Sequence, residues 1–422
     1  MTYLMFILGA LLPLISLNSE TGHDGADLFT RIAVCDIVAL IMVAMIVLNR
    51  REMPRGFARL YLFGLVVALV IGLSRFANLN DGLSHTALEP VLAFCALLMA
   101  YMFLVIGVTA AQNPKLAKFL LAGVLVGVLA ESTIVIHDYF ISQQWFPDRM
   151  THRVRGTFRA SGQLAAFGFS ASGLLLSQGW WRFDDPRVRR MMVVGGSLAV
   201  FFTIAASRRS AIASLLIWAA IFACLAFGNA RTLKYTVVFV VVGLSACLGV
   251  VAVGGFEDSF IGGRIIHAYQ SLQSEDNFIF HQFSDLVSRF WQWFPWGLGS
   301  GLGGVYDHEK GKSFEIHNGH LAIMVELGLL GFVSFIGLLA NAIFSWKYVG
   351  GNSDRTVRIA VISFILASAI FMIHNRLHRE RGFMLFMGMA SVACAGMTRQ
   401  SSSRLPGQYA RLPAHHALPT RA

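Results

Sequence analysis

The sequence predicts an all-α fold: a polytopic membrane helix bundle of about 12 transmembrane helices with one large outer loop that carries amphipathic helices. Three observations predict it. The 422 residues are 56% hydrophobic and only 14% charged, with a mean hydropathy of +0.62, a balance too apolar for a soluble protein. Apolar runs long enough to cross the hydrocarbon core, which takes about 20 helical residues, recur along the whole chain. Lys and Arg concentrate in alternate connections between those runs. Helices are the spanning structure that fits. Lipid offers no partner to an unpaired backbone group, and the runs are too long and too evenly apolar for barrel strands.

In order, the runs lie at about 2–17, 28–48, 59–75, 89–111, 116–136, 160–178, 190–206, 210–227, 234–253, 318–346, 357–374 and 382–397. No internal repeat links them. The first has neither a basic leader nor a clear small-residue cleavage site, so it is expected to stay as a spanning helix rather than be removed as a signal. Cys35, Cys95, Cys224, Cys247 and Cys394 fall inside apolar runs without paired spacing, which argues against a disulfide framework or a cysteine metal site. Residues 1–397 thus form the bundle, with the loop at about 254–316 between helices nine and ten. The Ser-, Pro- and Arg-rich stretch 398–422 is expected to be a disordered basic tail.

The charge pattern orients the bundle. Arg50, Arg51, Arg55 and Arg59, then Lys115 and Lys118, Arg182 to Arg190, Arg231 and Lys234, Lys347 to Arg358, and the tail arginines occupy alternate connections. The positive-inside rule makes that side cytoplasmic and places both termini there. The formal charge of +11 is mostly this orienting charge, so no nucleic-acid partner is implied. The first two outer connections carry Glu20, Asp24, Asp27 and Asp81 and no Lys or Arg.

Several basic residues break the rule on the outer side: Arg149, Arg153, Arg155 and Arg159; Arg208 and Arg209 in the tight connection ASRRSA; Arg264 in the long loop; and Arg376, Arg379 and Arg381 around the last hairpin. Any one of them reads either as a snorkelling or ion-paired side chain or as part of a site. As a set they suggest a polyanion at the outer face, because the planar guanidinium fork donates bidentately to phosphate. Glu326, Glu131 and Asp36 lie inside apolar runs, where acids are expected to pair within the bundle or to serve function.

The stretch Trp291–Gly331 organises the rest. It combines Trp291, Trp293, Phe294 and Trp296 with the glycines 297, 299, 301, 303 and 304, and then places His317 and Asn318 at the threshold of a long apolar helix. Aromatic rings mark a membrane boundary, glycines permit close backbone approach, and a His exchanges protons near neutral pH. Upstream, Asn277–Phe294 sets Phe280, Phe283, Leu286, Val287, Phe290, Trp291 and Phe294 at helical spacing. That pattern fits an amphipathic helix that lies on the bilayer or packs the loop onto the bundle.

Three segments, RGTFRASGQLAAF (155–167), SRRSAIASLL (207–216) and GLGSG followed by HNGHLAIMVELGLLG (297–331), resemble the bacterial O-antigen ligase and O-antigen polymerase family of membrane glycosyltransferases. The resemblance implies a bundle of about a dozen helices with a large periplasmic loop, in the bacterial inner membrane. It implies transfer of a glycan from an undecaprenyl-pyrophosphate donor to an acceptor hydroxyl, on a lipid A core or on another lipid-linked glycan. His317 is then the residue acting on the acceptor hydroxyl, and Arg208 and Arg264 hold the pyrophosphate. Arg209, adjacent to Arg208, contends for the same role, and Arg155, Arg159 and Asn318 complete the expected substrate-binding set.

The chemistry of the residues agrees with this. A departing pyrophosphate needs its growing charge neutralised, which fixed guanidinium groups do, and the acceptor needs a base near pH 7. No convincing outer carboxylate pair calls for a divalent ion, and His317 with His320 lacks a carboxylate partner for a metal, so no cofactor is expected. A transporter or flippase of lipid-linked glycan is the alternative, but such proteins tend to show repeated halves and broken helices with midplane sites. The orientation is tested by reporter fusion. A reporter active only outside the cytoplasm should work when fused near Asp276 and fail near Asp184 or after Thr398, and the reverse pattern overturns the site assignment.

Overall fold

The structure is a computed structural model that describes residues 1–14, 34–49, 56–78, 88–145, 157–158, 161–179, 182–183, 185–206, 209–226, 286–288, 290–300, 304–307, 312–316, 318–347, 352–373 and 376–402. Its helices in chain order are α1 (Thr2–Leu11), α2 (Val34–Leu48), α3 (Phe57–Asn78), α4 (Leu88–Gln112), α5 (Pro114–Trp145), α6 (Ser161–Gly173), α7 (Pro186–Ala205), α8 (Arg209–Ala226), α9 (Phe290–Trp293), α10 (Gly319–Lys347), α11 (Asn352–Phe371) and α12 (Arg381–Ser402). A π turn, Leu174–Gly179, continues α6, and a 3-10 turn, Leu377–Arg379, precedes α12. Every expected run coincides with one of these helices except 234–253, which lies outside the described residues together with most of the expected loop.

Five helices are long and apolar enough to cross a membrane, over Phe57–Arg75, Pro90–Gln112, Pro114–His137, Pro186–Ala205 and Gly319–Ser345; Thr2–Leu11, Val34–Leu48 and Ser210–Leu225 are shorter apolar helices. One feature departs from an all-helical chain. The strands β1 (Gly304–Asp307) and β2 (Lys312–Glu315) pair antiparallel, with Gly304 opposite Glu315 and Asp307 opposite Lys312. At the other end of the sequence α12 runs on to Ser402, past the expected start of the tail at 398.

Local chemistry fixes several helix starts. Asp185 accepts the Arg187 N–H at 2.7 Å with Pro186 in the first helical position. Asn113 accepts the Lys115 N–H at 3.0 Å ahead of Pro114 in the same way. Both satisfy a donor the helix cannot, and a proline there has no N–H to lose.

The helices then pack along glycine seams. Gly123 of α5 meets the Phe6 carbonyl of α1, and Gly127 meets Ala10 and Pro13, so α1 and α5 run parallel and in backbone contact. Gly107 of α4 and Gly388 of α12 face each other across carbonyls of Leu385 and Leu104. Gly64 of α3 lies on Gly331 of α10, with Phe57 against Gly337 further along, an antiparallel pair. Close approach through small residues is how helices gain packing where lipid supplies no hydrophobic drive. Aromatic stacking fills the centre: the Phe169 and Phe364 rings are 4.8 Å apart, Trp218 meets Phe364 at 5.0 Å, and the Trp218 indole N–H donates to Ser363 Oγ at 3.2 Å.

These seams yield a stability prediction. In a helix interior Gly→Ala normally gains about 1 kcal/mol of propensity, but a Cβ at Gly388 would collide with the Leu104 carbonyl and the Val108 nitrogen. Gly388→Ala should therefore lower stability by about 1–3 kcal/mol, read as the thermal midpoint in detergent. Gly179→Ala, where only the flexible Met192 side chain is within reach, should change it little.

Candidate functional site

The site is built where α10 breaks. Gly328 sits inside that helix at φ 69°, ψ −171°, a conformation that only glycine adopts without strain, and the ladder of helical hydrogen bonds is interrupted there. The segment 293–300 supplies what the ladder loses. The Leu298 N–H donates to the Val325 carbonyl at 2.6 Å, and the Pro295 carbonyl accepts the Leu329 N–H at 2.7 Å. Gly297 (φ 85°) makes this approach possible, since a Cβ on it would stand 2.6 Å from the Gly328 nitrogen. The same segment is tied to two further helices. Ser300 donates its N–H to the Ala68 carbonyl at 3.0 Å and its hydroxyl to the Pro90 carbonyl at 2.8 Å, and Arg75 Nη2 donates to the Gln292 carbonyl at 2.7 Å. In the described part of the glycine run, then, backbone approaches backbone.

The aromatic stripe divides around this splice. Leu286, Trp293, Ile316, Ala322 and Val325 form a small core, with Phe290 and Phe294 packed against it, and the Phe290 and Phe294 rings stack at 4.7 Å. The Trp293 indole N–H donates to the Leu286 carbonyl at 3.0 Å. Val287 and Trp291, one step round the helix, are exposed.

Glu326, two residues before the break, is 2% exposed and gripped by arginine. Arg379 Nη2 donates to both carboxylate oxygens, at 2.7 and 2.5 Å, and Arg376 Nη1 is 3.9 Å away. Arg381 forms a bidentate pair with Asp36, 2.5 Å at each oxygen. Glu131 accepts the Thr157 N–H at 2.8 Å and its hydroxyl at 2.7 Å, and that hydroxyl also lies 3.0 Å from the Pro13 carbonyl. Each intramembrane acid picked out by sequence thus has a partner. Arg376, Arg379 and Arg381, read from the sequence among the polyanion set, are engaged within the bundle.

Between these pairs lies His378, fully buried, with neither ring nitrogen hydrogen-bonded among the described residues. Burial, and then the charges of Arg379 and Arg376, hold its pKa well below the usual imidazole value, so the ring is neutral. Its face meets Phe335 edge-on at 6.3 Å, and Phe335 in turn meets Tyr61 at 5.8 Å. Glu380 beside it has its carboxyl pushed up to about 7 by burial, against the opposing pull of Arg381.

The mouth of α10 is anchored to the end of α11 and the connection after it. Arg376 Nε donates to the Ile316 carbonyl at 2.6 Å, the Gly319 N–H to the Met372 carbonyl at 2.6 Å, and His320 Nε2 lies 2.7 Å from the Ala369 carbonyl. A carbonyl only accepts, so His320 Nε2 carries a proton and donates it there. Asn318 is the cap: its Oδ1 accepts the Leu321 N–H at 3.0 Å and its carbonyl the Ala322 N–H at 2.8 Å. With Gly319, Leu321 and Ala322 already donating, this helix start does not present the open row of N–H groups that cradles a phosphate.

Of the residues expected to act on substrate, Asn318 is described and caps the helix. Arg209 opens α8, its side chain outside what is described; Arg155, Arg159, Arg208, Arg264 and His317 lie outside the described residues. Ile316 and Gly319, which flank His317 in sequence, are both fixed by the hydrogen bonds above. No group of three or more metal-ligating side chains occurs among the described residues. No protein-family model and no curated protein sequence matches the chain.

The Glu326 pair has a measurable signature. Arg379→Ala should destabilise by about 2–3 kcal/mol, because it leaves a buried carboxylate with only Arg376 nearby. Adding Glu326→Gln should restore part of the loss, as removal of the stranded charge requires. Thermal unfolding of the two single variants and the double variant checks this, and strict additivity would dissolve the pair.

Proposed function

We propose that this protein is a membrane glycosyltransferase that moves a glycan from undecaprenyl pyrophosphate to an acceptor hydroxyl at the periplasmic face of the bacterial inner membrane. In this reading it is an O-antigen ligase or polysaccharide polymerase of about twelve spans, with both termini in the cytoplasm. One observation carries it: Ile316 and Gly319, on either side of His317 in sequence, are held by Arg376 and by the Met372 carbonyl. A base must be held within hydrogen-bond reach of the hydroxyl it serves, and such anchoring supports that role.

In the reaction the acceptor oxygen gives its proton to His317 and bonds to the anomeric carbon. The carbon–oxygen bond to the pyrophosphate breaks, and its electron pair leaves with undecaprenyl pyrophosphate. Arg208 and Arg264, with Arg209, Arg155 and Arg159 around them, neutralise that charge. Membrane lipids and the lipid-linked donor are the partners; the acceptor is a glycan or a lipid A core.

The break at Gly328 favours a second reading, a flippase of lipid-linked glycan, since transporters build sites at discontinuous helices. Against it, the chain's own Leu298 N–H and Pro295 carbonyl take up the Val325 carbonyl and the Leu329 N–H at this break, groups that a substrate would otherwise use.

Purified protein in lipid, given a pyrophosphate-linked glycan donor, separates the two readings, because only the enzyme releases undecaprenyl pyrophosphate. His317→Ala should lose roughly a hundredfold to ten-thousandfold in rate while still binding donor, and Arg208→Lys or Arg264→Lys should lose most activity despite the retained charge. Arg399→Lys in α12 should be normal. Near-normal turnover in His317→Ala would sink the catalytic assignment.

A further inference from the structure

The segment spliced into α10 turns two large rings outward. Trp291 is 84% exposed and Trp296 69% exposed, while Trp293 between them is buried at 5%. Two exposed indoles so close together would be costly in water, and each combines an apolar body with an N–H donor, a shape suited to a boundary that is apolar on one side and wet on the other.

Their neighbour says which boundary. Along α3 the exposed apolar residues Leu60, Phe63, Val66, Val70 and Leu73 repeat every three or four positions and so lie on one face. That stripe rises about 20 Å from Leu60 to Leu73 on a helix apolar enough to span a membrane. It stops within a turn of Arg75, whose guanidinium holds the Gln292 carbonyl, the residue next to Trp291. The exposed surface of α3 thus ends at the height of Trp291, whereas the Trp296 backbone lies deeper, on Gly328, one turn along α10 from the Gly331 that meets Gly64.

We propose that Trp291 is seated in the phospholipid headgroup layer, at the upper edge of the bilayer that covers the α3 stripe. The occupant is a bilayer surface, and the assignment is independent of whether the protein transfers or transports glycan.

The test uses the full chain reconstituted in phosphatidylcholine and phosphatidylglycerol vesicles. Subtracting the emission of a Trp291→Phe variant from that of the native protein isolates this ring, and a phenyl ring at the exposed position should leave the thermal midpoint unchanged. Lipids brominated near the ester end of the chain should quench the difference emission at least about twofold more than lipids brominated near the methyl end, with little quenching by aqueous acrylamide. Strong acrylamide quenching without lipid quenching would place the ring in water. Deeper bromines winning would place it in the hydrocarbon. Quenching by neither probe would mean that protein, such as a second copy of the chain, covers it, and a lowered midpoint would mean that it packs within the fold. Any of these four results overturns the proposal.

Discussion

The packing around the break in α10 depends on one buried carboxylate, Glu326, held by Arg379 beside a helix that cannot continue. A charged group 2% exposed inside an apolar bundle is untenable without an opposite charge at bonding distance, so the fold must bring Arg379 to it across 53 positions of sequence. That demand fixes the connection between α11 and α12. The connection then holds the mouth of α10 through Arg376 and the Ile316 carbonyl, and the end of α11 holds it through Met372 and Gly319. The break at Gly328 adds a second demand, because freed backbone groups in such a bundle must find partners in protein. The segment 293–300 meets it and is thereby tied to α3 and α4.

Through the bundle, glycine seams such as Gly107 with Gly388 bring helix backbones into contact and leave little room to shift. The buried acids each hold a partner: Asp36 with Arg381, Glu131 with Thr157, Glu326 with Arg379. Neutral His378 sits among them without a hydrogen-bond partner among the described residues, an arrangement that costs stability and is tolerable only where the surrounding packing is rigid.

Much of this was legible in the sequence. Apolar runs located the helices, since length and evenness of hydropathy are local properties, and Glu326, Glu131 and Asp36 were expected to pair because lone acids in apolar runs must. The partners were not legible. Asp36 and Arg381 are 345 positions apart, and no local pattern encodes which arginine reaches which acid. Arg376, Arg379 and Arg381 for that reason read as members of an outer polyanion set, while the fold spends them internally. The break escaped notice because a glycine within an apolar run is ordinary in membrane helices; Glu326 two positions earlier, with the arginines of RLHRER downstream, was the available signal. The glycines at 297 and 299 read equally as a ligand cradle or a close packing device, and only the facing backbones of Gly328 and Gly72 decide for packing.

That reassignment narrows where a polyanion can bind. With Arg376, Arg379 and Arg381 committed to buried carboxylates or to the Ile316 carbonyl, pulling one away to grip a phosphate would strand an acid such as Glu326, at a cost of several kcal/mol. The start of α10 offers no substitute, since Asn318 and Met372 already occupy the N–H groups that a phosphate would use. Pyrophosphate binding, if the proposed chemistry holds, therefore falls to Arg155, Arg159, Arg208, Arg209 and Arg264. In that proposal Arg376, which holds the Ile316 carbonyl, would have the complementary task of fixing the chain just before His317. Separating the groups that bind charge from those that hold position lets each be rigid, which is the condition for electrostatic stabilisation without reorganisation.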